Sequence, residues 1–320
     1  GADAMTATDF AAEHARWTNA IARVHSLRTI FAVGCAKSGT TWLEHILNAH
    51  PEVILRGEGR FFWQLDPILQ KAVAAFNQSL PGDHTNIAKV GDADYRIILR
   101  SIIDQRLAKY LLDSGEKPGL TMIGDKTPMH TLAVGKLNTL YPDASFVHII
   151  RDPRDATISQ WFFWAERNDP RNLEEFVRYS ITKVWPLNVV SARNAGSPLA
   201  GRYHELRYED LHHEPMETAR RLIEFLQADA SDDVIERCLG GASFEAKTGG
   251  RRPGAEERRS FFRKGTVGDW RNHLPEHLVR ECCEAIRPLM ESFGYSPDPD
   301  APLAPLPHFA DSPAFSVSMG

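Results

Sequence analysis

Short apolar runs alternate along this chain with longer stretches in which apolar residues recur every three or four positions. Phe31-Ala32-Val33, Val53-Ile54-Leu55, residues 120–123, Ser145–Ile150 and residues 203–208 are the short runs, and each reads as a brief buried strand. Helical spacing covers 9–27, with Phe10, Ala11, Trp17, Ile21 and Val24 in phase. It returns at 67–80 and at 95–113, where Ile97, Ile98, Ile102, Leu107, Tyr110 and Leu111 share a side. Further helices are predicted at 132–141, 155–168, 173–194, 216–227, 233–239 and 276–292. After the first strand, Trp42, Leu43, Ile46 and Leu47 mark a helix that ends near His50, ahead of Pro51.

Strands of four to six residues separated by helices imply parallel βαβ units. The expected fold is α/β, a single domain in which helices flank a parallel central sheet. Gly1-Ala2-Asp3-Ala4 before Met5 reads as a tag remnant, so residues 1–8 are set aside as a disordered start. The domain is expected over 9–295. From 296 to 320 the chain is rich in Pro, Asp and Ala and reads as a C-terminal surface tail.

In parallel sheets, ligands bind beyond the carboxyl ends of the strands. Four polar clusters follow apolar runs directly: Gly34–Thr41, Glu58, Asp125-Lys126 and Arg151–Ser159. The first cluster, Gly34-Cys35-Ala36-Lys37-Ser38-Gly39-Thr40-Thr41, joins a strand to a helix. Its backbone N–H groups and the helix N-terminus would surround an anion, and Lys37 would add full positive charge. A nucleoside-triphosphate loop requires G-x-x-x-x-G-K-[ST]. Gly34 and Gly39 have that spacing, but Thr40-Thr41 follow and the lysine lies inside the loop. The loop is therefore P-loop-like without the Mg-ATP signature.

Composition narrows the choices. The chain of 320 residues is 42% hydrophobic and 25% charged, as in an ordinary globular protein. A net charge of -5 offers no global attraction to nucleic acid or an anionic membrane, so any anion site must be local. Cys35, Cys238, Cys282 and Cys283 form no C-x-x-C pair and no metal spacing. This fits a reducing, cytoplasmic setting with no resident metal. No apolar run approaches the ~18 residues of a membrane span.

Two further stretches suit anions. Arg151-Asp152-Pro153-Arg154-Asp155-Ala156-Thr157-Ile158-Ser159 follows the strongest strand. Pro153 suits the first helical turn and Asp152 its cap, which leaves Arg151 at the strand tip and Ser159 two turns on. The same string alone also makes an ordinary helix-start salt-bridge cluster. Arg263-Lys264-Gly265 precedes Thr266-Val267-Gly268-Asp269-Trp270. Read alone it is more simply a solvated basic loop.

With these three stretches in order, the chain resembles the sulfotransferases that use 3′-phosphoadenosine 5′-phosphosulfate (PAPS). The resemblance runs over roughly 28–294 and implies an α/β domain around a parallel sheet. It implies that Lys37, Ser38, Gly39, Thr40 and Thr41 hold the 5′-phosphosulfate and that Arg151 and Ser159 hold the 3′-phosphate. It further implies that Arg263, Lys264 and Gly265 close over the nucleotide. Trp42, Tyr208, Ser243 and Phe244 resemble the adenine pocket; Tyr208 and Phe244 could equally be core, whereas Trp42 is attached to the loop. The reaction so implied moves a sulfonate from PAPS to an acceptor hydroxyl, releasing PAP without a metal.

In-line transfer needs neutralised charge and a base. Lys37 would serve the leaving phosphate and Lys126 the sulfonate. Cytosolic members carry Lys-Thr-His where this chain has Lys126-Thr127-Pro128, so that histidine is missing. Glu58-Gly59-Arg60-Phe61-Phe62 resembles the Glu-x-x-Phe-Phe context of members with a glutamate base. Glu58 is therefore the expected base, with apolar neighbours expected to strengthen it. His130 is the alternative. Two departures remain. Cys35-Ala36 stands where proline commonly precedes the lysine, and Pro275-Glu276 replaces the Thr-Val centre of the cytosolic dimer motif, which leaves the oligomeric state open.

Phe61, Phe62, Trp63, Trp161, Phe162, Phe163 and Trp164 are either core or an apolar acceptor pocket. Such a pocket suits a small, partly apolar alcohol, a lipid or a polyketide-like molecule better than an anionic polysaccharide. The competing readings are an atypical P-loop kinase or nucleoside triphosphatase, and a non-catalytic nucleotide-binding protein. No G-x-S-x-G or G-x-G-x-x-G string supports a hydrolase or a dehydrogenase.

Overall fold

A computed structural model describes residues 6–82, 86–199, 201–242 and 266–317. Five strands, β1 (Arg28–Val33), β2 (Val53–Arg56), β3 (Met122–Lys126), β4 (Ser145–Ile150) and β5 (Tyr203–Arg207), form one sheet in the order β2-β3-β1-β4-β5. Every pairing is parallel, with Phe31 opposite both Asp125 and Phe146.

Both faces of the sheet are covered, which is why the strands read as near-continuous apolar runs. Phe31, Val33, Ile54, Ile123 and Phe146 point to one face, under α1 (Ala7–His25), α4 (Asp92–Ser114), α5 (Val134–Leu140) and the helix Trp185–Gly196. Ile30, Ala32, Val53, Leu55, Val147 and Ile149 point to the other, under α2 (Thr40–Ala49) and the helices Pro215–Phe225 and Asp232–Gly241. A third cluster, built around Trp185, Val189, Leu278 and Phe293, lies against Cys35 and Ile150 and supports the end of the sheet that bears the site.

β1 leads into α2 on one face, whereas the chain after β4 reaches Trp185–Gly196 on the opposite face. The crevice between the ends of β1 and β4 is thus the switch point at which such sheets bind ligands.

The structure differs from the sequence reading at three kinds of place. β3 runs on to Lys126 through Gly124-Asp125, beyond the strand expected over 120–123. Gly124 permits this because a Cβ there would lie 1.9 Å from the Ile30 carbonyl oxygen. The helices expected at 155–168 and 173–194 each contain a π-turn, Trp161–Ala165 and Ser180–Val184, and a third π-turn, Phe61–Leu65, leads into α3 (Asp66–Ser79). Residues 128–132 form a 3₁₀ turn ahead of α5.

At the N-terminus α1 begins at Ala7, with Thr6 as its cap. The stretch from 296 to 317 has almost no regular structure and lies along the body. The Arg207 guanidinium donates to the Ala304 and Phe293 carbonyls, and Leu303, Leu306, Phe315 and Val317 pack on the third cluster.

Candidate active site

The site is built along the carboxyl edge of the sheet, one strand at a time. β1 ends in the loop Gly34–Gly39. Gly39 caps α2 with φ of 100°, and a Cβ there would lie 2.6 Å from Cδ2 of Tyr208. Lys37 sits at φ 67° with Nζ 4.0 Å from the centre of the Phe163 ring. Ser38 is fully buried, and its Oγ has no hydrogen-bond partner among the described residues. A buried hydroxyl without a partner just ahead of the N-terminus of α2 suits an incoming anion.

Beyond β4, Arg151 Nη1 donates to the Lys37 carbonyl at 2.9 Å and Nη2 to the Thr266 carbonyl at 3.3 Å. Its guanidinium lies 4.1 Å over the ring of Tyr208, and its buried Nε has no partner among the described residues. Trp185 Nε1 holds the Arg151 carbonyl at 2.9 Å. As expected from Pro153, α6 (Pro153–Gln160) follows, with Asp152 capping it through the Arg154 N–H. Ser159 lies on α6 and lines the same cavity as Arg151. Asp155, buried one turn into α6, accepts from the N–H groups of Gly268 (2.7 Å) and Trp270 (3.1 Å). It thereby fixes the start of the segment that returns after residue 265.

Past β5, Tyr208 is buried between Gly39 and Arg151, and it meets Trp42 edge-on with ring centres 5.5 Å apart. His212 packs 4.8 Å from Trp42 and 4.7 Å from Tyr208. Burial, with Arg151 adding to it, pushes the His212 imidazole down to about 4, so the ring is neutral at pH 7.

On the other side of β1, Lys126 Nζ ends β3 within reach of Glu44 (3.2 Å), Glu58 (3.3 Å) and the hydroxyl of Thr41 (3.4 Å). Glu58 follows β2, and its second oxygen meets Arg60 Nε at 3.3 Å. Its expected apolar surroundings are instead two cations. Asp125 anchors this loop by accepting from Gly59 N–H, Tyr110 hydroxyl and Thr127 hydroxyl. Burial pushes the Asp125 carboxyl up to about 6, which those three donors oppose.

One cavity of about 640 Å³ is walled by Lys37, Gly39, Thr40, Thr41, Trp42, Glu58, Arg151, Ser159, Tyr208 and His212, with Trp63, Met129, Ile158, Phe163 and Trp164 adding apolar surface, while Lys126 and Ser38 are buried and are not lining residues. In strand order the edge reads carboxylate, lysine, phosphate-type loop, arginine, tyrosine. At ~4.8 Å per strand, that row spans about 19 Å from β2 to β5, enough for a nucleotide at one end and a second molecule at the other.

His130 is not part of this wall. It is buried against Phe61 and Phe62, accepts the Phe62 N–H at Nε2, and burial pushes it down to about 3. Ser243, Phe244, Arg263, Lys264 and Gly265 lie outside the described residues. The aromatic cluster divides: Trp63, Phe163 and Trp164 line the cavity, Phe61 is core, and Phe62, Trp161 and Phe162 pack beside core clusters.

Glu44, Asp155 and His212 were not foreseen from the sequence. The only available signal for Glu44 was its place three residues beyond Thr41 on α2. Among the described residues, no group of three or more His, Cys, Asp or Glu is placed to hold a metal ion.

Residues 29–232, more than half of the chain, match the family described as "Sulfotransferase family". The chain belongs to the sulfotransferase family.

Among relatives, cytosolic sulfotransferase 6 of Arabidopsis thaliana is 25% identical over 222 residues, covering 60% of this chain and 66% of that protein. The nodulation protein NoeE of Sinorhizobium fredii is 29% identical over 229 residues, covering 64% of this chain and 51% of that protein. This sulfotransferase therefore spans between about half and two thirds of these relatives' lengths. A mouse sulfotransferase solved in complex with PAP superposes with a TM-score of 0.51 at 16% identity, covering 85% of this chain and 88% of that one. That likeness shows the shared fold.

Proposed function

We propose that this sulfotransferase moves the sulfonate of PAPS to a hydroxyl of an acceptor, releasing PAP. The observation that carries this is the row along the sheet edge: Glu58, Lys126, the Lys37 loop, Arg151 and Tyr208, one per strand in spatial order, all but Lys126 lining the cavity. Two anion grips, at β1 and β4, suit a nucleotide phosphorylated at two places. The unpartnered Ser38 Oγ and Arg151 Nε are the donors such a ligand would satisfy. Trp42, Tyr208 and His212 then face the base.

At the other end the acceptor oxygen forms a bond to sulfur as the bond from sulfur to the 5′-phosphate oxygen breaks. The electron pair goes to that phosphate, beside Lys37. The hydroxyl proton goes to the carboxylate of Glu58, which lines the cavity where His130 does not. Lys126 stands between the two events. Trp63, Met129, Phe163 and Trp164 favour a partly apolar alcohol, lipidic or polyketide-like, as acceptor. The four cysteines are free and buried, which supports a reducing compartment.

Calorimetric titration with PAP tests the donor site, and saturable binding near one equivalent is expected. Labelled PAPS screened against hydroxyl-bearing acceptors tests the reaction. Absence of PAP binding would reject the proposal.

A further inference from the structure

Lys126 has three N–H donors and three acceptors around them: Glu44, Glu58 and Thr41. Two of these are carboxylates, and Glu58 divides its charge between Lys126 and Arg60. The two carboxylates are not equivalent. The Glu58 side chain is 28% exposed, lines the cavity and also pairs with Arg60. The Glu44 side chain, on α2, is 14% exposed, and like Lys126 it is not a lining residue of the cavity.

We infer that Glu44 is an electrostatic positioning residue for sulfonate transfer, acting through Lys126. This rests on the sulfotransferase reading and goes beyond it. When Lys126 turns one N–H toward a sulfonate, Glu58 is the partner it releases, and Glu44 keeps the ammonium in place. Glu58 then keeps its contact with Arg60 through Oε2, and its Oε1 becomes free to act as base only when the donor is present.

The charge of Glu44 has a second effect. A bound sulfonate carries a full negative charge, and Glu44 opposes it across the lysine. As the bond to the leaving phosphate breaks, the electron pair leaves with the phosphate and the transferring group approaches neutral sulfur trioxide. The repulsion from Glu44 falls as this happens. Glu44 thus disfavours the bound ground state more than the transition state, and removing its charge should lower KM and kcat together.

The test compares PAP, which lacks the sulfonate, with PAPS in the full chain. In Glu44→Gln and Glu44→Ala, PAP affinity is expected to stay within twofold of wild type. PAPS affinity is expected to rise about fivefold or more, while sulfate release from PAPS with water as acceptor falls about tenfold. A merely structural role would weaken both ligands and lower the melting temperature. A PAPS-to-PAP affinity ratio within twofold of wild type in both variants overturns the inference. If wild type fails to bind PAP at all, the failure lies with the sulfotransferase reading instead.

Discussion

Arg151→Lys separates the architecture of the anion site from its charge. The substitution keeps one positive charge at the tip of β4 but replaces a planar fork by a single ammonium. The fork now bonds two backbone carbonyls, of Lys37 and Thr266, and stacks on Tyr208 at 4.1 Å. An ammonium has three donors but no planar fork, so it can retain one of those carbonyls and cannot hold both while presenting a third N–H inward in the same geometry. Loss of one charge-assisted bond is worth about 1.5–3 kcal/mol. Loss of the stacking on this buried ring adds about 1–2 kcal/mol.

Both losses fall on the ligand-free protein, so thermal melting should drop by several degrees. Binding loses separately the N–H that Nε points inward, which now has no partner among the described residues. One such bond to a phosphate is again about 1.5–3 kcal/mol. That corresponds to roughly a 10- to 100-fold weaker PAP dissociation constant. Isothermal titration of PAP into both proteins, with melting curves alongside, measures the two effects independently. If Arg151→Lys melts lower yet binds PAP within twofold of wild type, Arg151 only braces the loop and the anion grip lies elsewhere.

Three other outcomes follow from the same structure. Glu58→Gln should reduce transfer from PAPS by about 100-fold or more while PAP binding stays within twofold, and an active variant would remove Glu58 as the base. Gly39→Ala places a Cβ 2.6 Å from the Tyr208 ring at a φ of 100°. The backbone strain alone is about 1–2 kcal/mol, so PAP binding should weaken about tenfold or more, and unchanged titration curves would contradict the described loop. Burial, then the neighbouring Asp152 carboxylate, raises the Glu209 carboxyl from 4.5 to about 7. The folded state holds a proton that the unfolded chain releases, so this contribution to stability is full below about 4.5 and is lost as pH rises through about 7. Relative to Glu209→Gln, wild type should lose stability between about pH 4.5 and 7, at up to about 1.4 kcal/mol per unit, and then level off, and parallel melting profiles would refute the shift.

Much of the site was legible in the linear pattern because each of its parts follows directly on an apolar run. A strand buried on both faces must be apolar, and polarity can resume only where it emerges. Lys37, Glu58, Lys126, Arg151 and Tyr208 all sit at or just beyond those exits. The aromatic residues were not legible in this way. Two of the three π-turns, Phe61–Leu65 and Trp161–Ala165, lie within the aromatic clusters. An extra residue per turn shifts the phase of the side chains, so the 3.6-residue rule cannot say that Phe163 and Trp164 face the cavity while Trp161 faces the core.

The sequence by itself determined the strands, the α/β class and the loop chemistry, because burial periodicity and glycine placement are local properties. The tertiary structure alone decided which candidates meet. Strand order set Glu58 and Lys126 on one side of the loop and Arg151 and Tyr208 on the other. Packing against Phe61 and Phe62 withdrew His130 into the core. The approach of α2 to β3 brought Glu44 onto Lys126 across 82 positions of chain, from 44 to 126. No local pattern encodes a contact between residues so far apart, because the sheet pairing and helix packing that create it depend on the whole fold.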